Sequence, residues 1–185
     1  MKRVLIGTLA AALIATPAFT ETEFKDPAEC TQYKAGQYKV GTDIPAGKYV
    51  VYSSAYNRDV HGYVFETTDA NGTDYVQSAS FYYDTIVEIT EGNYLKLDRS
   101  YAVPLEENPE IDITKEGTYL VGTHIDAGEY KIEQVDDVKG GYFFVYKDYT
   151  KENYAGSDSF EGSRYVSVED GQLLCLDNAR LVLDQ

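Results

Sequence analysis

Along this chain apolar and polar residues alternate in many short runs, and the period is two rather than 3.6. The alternation is clearest at Thr85-Ile86-Val87-Glu88-Ile89-Thr90 and Tyr94-Leu95-Lys96-Leu97, where successive side chains point to opposite faces of a half-buried strand. No stretch after residue 20 sustains a helical period for three turns. Turn-forming residues separate the runs, as in Asp69-Ala70-Asn71-Gly72-Thr73-Asp74 and Glu91-Gly92-Asn93. The pattern predicts an all-β chain.

The pattern also occurs twice. Gly36-Gln37-Tyr38-Lys39-Val40-Gly41-Thr42-Asp43-Ile44-Pro45-Ala46-Gly47-Lys48-Tyr49 returns as Gly117-Thr118-Tyr119-Leu120-Val121-Gly122-Thr123-His124-Ile125-Asp126-Ala127-Gly128-Glu129-Tyr130, at an offset of 81. Further on the offset is 79: Gly62-Tyr63-Val64-Phe65 matches Gly141-Tyr142-Phe143-Phe144, and Val87, Ile89, Gly92, Leu95 and Leu97 match Val166, Val168, Gly171, Leu174 and Leu176. What recurs is glycine, for unusual dihedrals, and apolar or aromatic residues, for a buried face. The varying positions, such as Asp43 against His124, are polar. Within each motif Gly41 and Gly122 suit a bulge or positive φ. Ile44-Pro45-Ala46-Gly47 reads as a type I turn, and Ile125-Asp126-Ala127-Gly128 suits the same type. Lys48 to Ser53 then serves as a return strand, making a hairpin-like corner.

About five strands per copy predict two tandem, similar β-sandwich-like repeats of about 80 residues, spanning 36–103 and 117–185. The alternative is one larger sandwich or barrel formed by both copies. Residues 21–35 form a polar leader. Residues 104–116, with Pro104-Leu105-Glu106-Glu107-Asn108-Pro109-Glu110, read as an extended, solvated acidic linker.

Composition adds location. Met1-Lys2-Arg3, an apolar run from Val4 to Ala15 and Thr16-Pro17-Ala18-Phe19-Thr20 mark residues 1–20 as a secretory signal peptide, too short in its apolar part to span a bilayer. Its removal takes Lys2 and Arg3 from a chain of formal charge −15, leaving −17. So acidic a surface keeps an exported protein soluble and repels nucleic acid and anionic lipid. The expected location is periplasmic or extracellular, with no membrane span after cleavage. There, Cys30 and Cys175 are expected to pair. Such a bridge closes 145 residues, contributes about 4–5 kcal/mol and pins the leader beside the last strands of the second copy.

The motif from Tyr38 to Tyr49, Tyr-x-Val-Gly-x-Asp-Ile-Pro-Ala-Gly-x-Tyr, resembles a repeat found in exported bacterial proteins and lipoproteins. The second copy departs from it at His124 and Asp126. The resemblance implies an envelope or surface location and a β-rich module, and brings no catalytic residues.

Signatures of chemistry are sparse. His61 and His124 align with Gly140 and Asp43, so neither belongs to the repeated pattern, and Gly156-Ser157-Asp158-Ser159-Phe160 lacks nucleophile-elbow spacing. No glycine loop precedes a helix to cradle phosphate. Asp69, Asn71 and Asp74 place oxygen ligands around Gly72 and are the candidate calcium ligands. The loop is shorter than an EF-hand, and the second copy has Lys151 in the corresponding stretch. The expected function is a non-catalytic binding or interaction module of the bacterial envelope, taking a protein or glycan, with no cofactor. The alternatives are a carboxylate-based hydrolase of envelope polysaccharide and a calcium-dependent adhesin-like module.

Overall fold

The computed structural model describes residues 23–136 and 138–183; the expected signal peptide, 1–20, lies outside the described residues. The first repeat contains seven strands: β1 (Gly36–Lys39), β2 (Gly47–Ser53), β3 (Gly62–Thr67), β4 (Tyr75–Phe81), β5 (Asp84–Ile89), β6 (Tyr94–Asp98) and β7 (Ser100–Pro104). The second contains their counterparts: β8 (Gly117–Leu120), β9 (Gly128–Gln134), β10 (Gly141–Tyr146), β11 (Tyr154–Phe160), β12 (Ser163–Val168), β13 (Leu173–Asp177) and β14 (Ala179–Leu181). Five runs per copy were expected. The additional strands arise partly because Arg99 and Asn178, at φ 51° and 54°, break one apolar run into two. Each half of that run joins a different sheet.

Every repeat builds a four-stranded and a three-stranded antiparallel sheet: β1-β6-β3-β4 with β5-β2-β7, and β8-β13-β10-β11 with β12-β9-β14. Registers repeat as well. Tyr38 faces Leu95 as Tyr119 faces Leu174, and both β3/β4 and β10/β11 shift register near their ends, at Glu66/Thr67 and Val145/Tyr146. Among the described residues the fold is all-β and sandwich-like, without a closed barrel. Among the described residues no helix is long and apolar enough to cross a membrane.

The glycine-rich motif makes a different corner from the one expected. β1 lies in the four-stranded sheet and β2 in the three-stranded one, so the chain passes between sheets instead of folding back as a hairpin. The turn is Gly41-Thr42-Asp43, closed by the Val40/Ile44 bridge and the Gly41 N–H donating to Ile44 O at 2.7 Å. Pro45 lies beyond it and Gly47 begins β2. Gly41 and Gly122 take the expected positive φ, 88° and 84°, while Gly128 simply opens β9. The second corner repeats the arrangement through Val121/Ile125 and the Gly122 N–H on Ile125 O at 2.7 Å.

β2 is buried on both faces, which accounts for its continuous apolar run. Tyr49 and Val51 enter the core of repeat 1 with Val64, Val87, Leu95 and Ala102. Val50, Tyr52, Ile86 and Val103 face the other way and join the cluster that holds the core of repeat 2, including Tyr119, Phe143, Leu174 and Leu176. One apolar body therefore crosses from repeat to repeat.

The linker and leader are part of this seam. Ile111 is buried in the shared cluster, Pro109 and Glu116 are buried, and Tyr52 donates its hydroxyl to Glu110 O at 2.7 Å. The expected solvated linker is instead packed, because Ile111 and Ile113 supply apolar surface to the junction. The leader bridges to repeat 1, with Tyr33 and Ala102 exchanging N–H···O bonds of 2.9 Å and Lys25 pairing with Pro109.

Candidate functional site

The corner residues carry backbone work. Four motif tyrosines donate to the carbonyl four residues earlier: Tyr38 to Lys34, Tyr49 to Pro45, Tyr119 to Lys115 and Tyr130 to Asp126. Asp43 and His124, which differ in chemistry, perform one task. Asp43 Oδ2 accepts the Lys39 N–H at 2.9 Å, and His124 Nδ1 accepts the Leu120 N–H at 3.0 Å. Accepting through Nδ1 requires the neutral imidazole with its proton on Nε2. That nitrogen is buried without a partner, the ring stacks on Phe24 at 5.8 Å, and burial lowers the pKa to about 4.

The candidate calcium loop turns one of its three candidate ligands, Asp69, inward. Asp69 accepts the N–H groups of Asn71, Thr73 and Asp74 and the Thr73 hydroxyl, at 2.8–3.1 Å, and these bonds lower its pKa. Its carboxylate anchors the β3–β4 turn, and Asp148 does the same between β10 and β11 through Thr150 and Asn153. Asn71 and Asp74 contribute backbone N–H groups to this turn. Among the described residues no set of three or more His, Cys, Asp or Glu is placed to hold a metal ion.

Cys30 and Cys175 are separate thiols, so the expected bridge does not form. The reason is where the leader runs: it lies along β7 of the first repeat, not beside the last strands of the second. Cys30 ends a 3₁₀ turn (Pro27–Glu29) and packs into the shared apolar cluster, while Cys175 sits mid-sheet on β13 between Phe144 and Thr118. Burial pushes both thiols up.

Two surfaces remain as candidates, and comparing the repeats finds both. The outer face of the second four-stranded sheet carries the row Thr118–Cys175–Phe144, and Thr118 is buried against repeat 1, its Oγ1 3.3 Å from Thr85 Oγ1. The same row in repeat 1 is Gln37–Lys96–Phe65, and Gln37 and Lys96 are exposed. Around it Tyr63 and Phe65 stack in parallel at 6.1 Å and 6°, with Tyr75, 65% exposed, 6.2 Å from Phe65. Lys96 lies over Phe65 at 5.9 Å and Arg99 over Tyr63 at 4.9 Å. A groove of about 660 Å³ runs beside these rings, edged by Gln37, Asn71, Lys96 and Asp98. A ligand would meet flat aromatic surface with amide, ammonium and carboxylate groups at its rim.

The second surface is a cleft of about 350 Å³ at the seam, between β4–β5 and the sheet β8-β13-β10. Asp84 opens β5 and is buried at 1% exposure. Its Oδ1 accepts the Thr118 N–H at 3.2 Å and its Oδ2 has no partner. Burial, reinforced by Asp112 and Glu116, pushes this carboxyl up to about 8, so it holds its proton at neutral pH. Gly117 permits the approach, since a Cβ there would fall 2.5 Å from Asp84 Oδ1. Glu116 is spent on Arg58 and on the Asn178 N–H at 2.6 Å. Lys151, at φ 58°, leaves its own loop and donates to Thr85 Oγ1 at 3.0 Å, and burial lowers its pKa. Sequence reasoning missed Asp84 because one acid among 31 carries no signal. It placed Lys151 in a turn because the fold of that loop back onto β5 is a tertiary event.

Comparison with protein-family models, with curated proteins and with solved structures finds no match to this chain in any of the three.

Proposed function

We propose that the chain is an exported, non-catalytic module of the bacterial envelope that binds a polysaccharide on the open sheet face of its first repeat. One observation carries the reading: the row that repeat 2 uses at the seam is left uncovered in repeat 1, with Tyr63 stacked on Phe65, and with Phe65 and the tilted Tyr75 lining a groove. Aromatic side chains offer a large apolar surface at low entropic cost, which suits the flat faces of sugar rings. Gln37, Asn71 and Asp98 supply hydrogen-bonding groups at the rim, and Lys96 is the flexible side chain that a ring would displace from Phe65. Export is supported by the character of residues 1–20 and by the resemblance of Tyr38 to Tyr49 to repeats of exported bacterial proteins.

The hydrolase reading has less support. A glycosidase needs two carboxyl groups free to flank a bond. Of the three carboxyl groups that line the cleft, Glu116 is buried and committed to Arg58 and Asn178, Asp84 is buried with one oxygen on the Thr118 N–H, and Asp177 alone is exposed. The calcium-dependent reading is weakened by the inward use of Asp69.

Co-sedimentation of the mature protein with insoluble envelope polysaccharides tests the proposal. The wild type and Tyr154→Ala, altered at the repeat 2 counterpart of Tyr75, are expected in the pellet, and the doubly substituted Phe65→Ala/Tyr75→Ala in the supernatant. Equal sedimentation of the wild type and that double variant, or a wild type that stays in solution with every polymer, overturns it.

A further inference from the structure

Of the carboxyl and amino groups that line the cleft at the seam, Asp84, Glu116 and Lys151 have no such counterpart in the other repeat, and Glu116 is already taken up by Arg58 and the Asn178 N–H. Asp84 corresponds to Ser163 in repeat 2, and Lys151 corresponds to Gly72 in repeat 1. The same seven-strand pattern is thus built once with each charge and once without it. Both side chains bracket one hydrogen-bonded pair, Thr85 and Thr118: Lys151 Nζ donates to Thr85 Oγ1, and the Thr118 N–H donates to Asp84 Oδ1. Each keeps capacity in reserve. Asp84 Oδ2 is buried with no partner. The Lys151 ammonium has three donors and spends one on Thr85, with no carboxylate of the described residues within ion-pair distance. Leaving a buried polar group unmatched is unfavourable, so Asp84 and Lys151, which line one cleft, would be complemented by a guest that carries both a donor and an acceptor.

We propose that this cleft binds a small zwitterion of the amino-acid type, with its ammonium on Asp84 Oδ2 and its carboxylate on the Lys151 ammonium. The rings of Tyr82, Phe144 and Tyr146 line the same cavity and would receive the aliphatic part. The volume, about 350 Å³, lies at the small end of the range for ligand pockets. A guest with one charge satisfies one group and leaves the other unmatched; a guest with both satisfies the pair. Burial favours the neutral form of each group, and the carboxylates of Asp112 and Glu116 add to the effect at Asp84, so binding the zwitterion releases the Asp84 proton to solvent while Lys151 keeps its own. Cys175, facing Lys151, stays protonated through its own burial. The site is independent of the polysaccharide face, since it shares no residue with the groove beside Phe65.

The test is a thermal-shift and calorimetric titration of the mature protein at neutral pH with glycine, 4-aminobutyrate and 6-aminohexanoate, whose charge separations increase in that order. Butylamine and butyrate serve as single-charge probes. At least one zwitterion is expected to raise the melting temperature, with neither single-charge probe doing so. Its affinity should fall at least tenfold in Asp84→Asn, which keeps an acceptor for Thr118, and in Lys151→Met, which keeps the aliphatic stem. The proposal is overturned if no zwitterion binds, if butylamine or butyrate binds as well as the matching zwitterion, or if binding survives in either folded variant.

Discussion

Replacing Asp84 by Asn should remove a pH dependence of stability whose sign follows from the seam. A carboxyl with an ordinary value near 3.9 in the unfolded chain and about 8 in the folded one is neutral when folded and ionised when unfolded throughout the interval between. Over that interval the folded state binds one more proton, so stability falls by about 1.4 kcal/mol for each unit that pH rises. His124 works in the opposite direction. Its imidazole is held neutral by burial, with a pKa of about 4, while the unfolded chain takes up its proton near 6.5. Stability therefore rises with pH between those values, and the two slopes offset one another below about pH 6.5.

Above about pH 6.5 the Asp84 slope is unopposed by His124. From there to about pH 8 it amounts to about 2 kcal/mol, or about 4–8 °C in melting temperature for a chain of this size. Glu116, also raised by burial, contributes the same sign but is common to both proteins and cancels in their difference. The assay is thermal melting of the wild type and Asp84→Asn in closely spaced buffers, kept below the range where Cys175 and the buried tyrosines titrate. The expected result is a melting temperature that falls with pH in the wild type relative to the variant. Parallel curves would refute the reasoning, because they would mean that Asp84 ionises in the folded protein as easily as in the unfolded one.

Other consequences are simpler to state. Gly117→Ala should destabilise by about 1–3 kcal/mol, since its Cβ meets Asp84 Oδ1 at 2.5 Å, while Gly36→Ala at the equivalent position finds nothing nearer than 3.7 Å and should cost much less; denaturant midpoints of the two variants check this. His124→Ala should cost about 1–3 kcal/mol by leaving the Leu120 N–H without its acceptor, and between about pH 4 and 6.5 it should expose the fall of stability with pH that Asp84 contributes and His124 offsets in the wild type; melts across that range would show both. Unfolding the oxidised, purified protein with an alkylating agent should label Cys30 and Cys175 both, and a mass two hydrogens lower with no label would restore the bridge.

The all-β character and the duplication were legible because they depend on local alternation and on glycines that occur twice, such as Gly41 and Gly122. The corner was misplaced because Pro45 and Gly47 suggest a turn by composition. The actual turn, Gly41-Thr42-Asp43, is closed by a side-chain acceptor that can be Asp43 or His124. Polar divergence there looked like chemistry and proved to be two solutions to one backbone requirement. The cysteine pairing failed for a related reason: an even count in an oxidising compartment says nothing of where a leader lies, and Tyr33 ties it to β7. Asp84 and Lys151 come together only once the two repeats are packed, so no window of sequence contains their relationship.

The divergence between repeats becomes informative once the inner and outer faces are known. Repeat 1 places Val50, Tyr52 and Ile86 on the seam-facing side of its three-stranded sheet, and the corresponding residues of repeat 2 are Lys131, Glu133 and Tyr165. Where Tyr52 stacks on Tyr101 at 5.2 Å inside the seam, Glu133 pairs with Arg180 at 2.8 Å in contact with solvent. At Lys131 and Glu133 that exchange is what terminal units of stacked arrays require, charge where no neighbour follows, whereas Tyr165 keeps a ring 63% exposed. The opposite end has not been treated in the same way. Its four-stranded sheet replaces Cys175 with Lys96 and Thr118 with Gln37, yet retains Phe65, Tyr63 and Tyr75 on the open side. On β9 the corresponding outer positions, Lys131 and Glu133, are charged, whereas on this sheet three rings lie together. Tyr63 stacked on Phe65, with Lys96 and Arg99 over these rings, is the reason we propose binding at this end of the molecule.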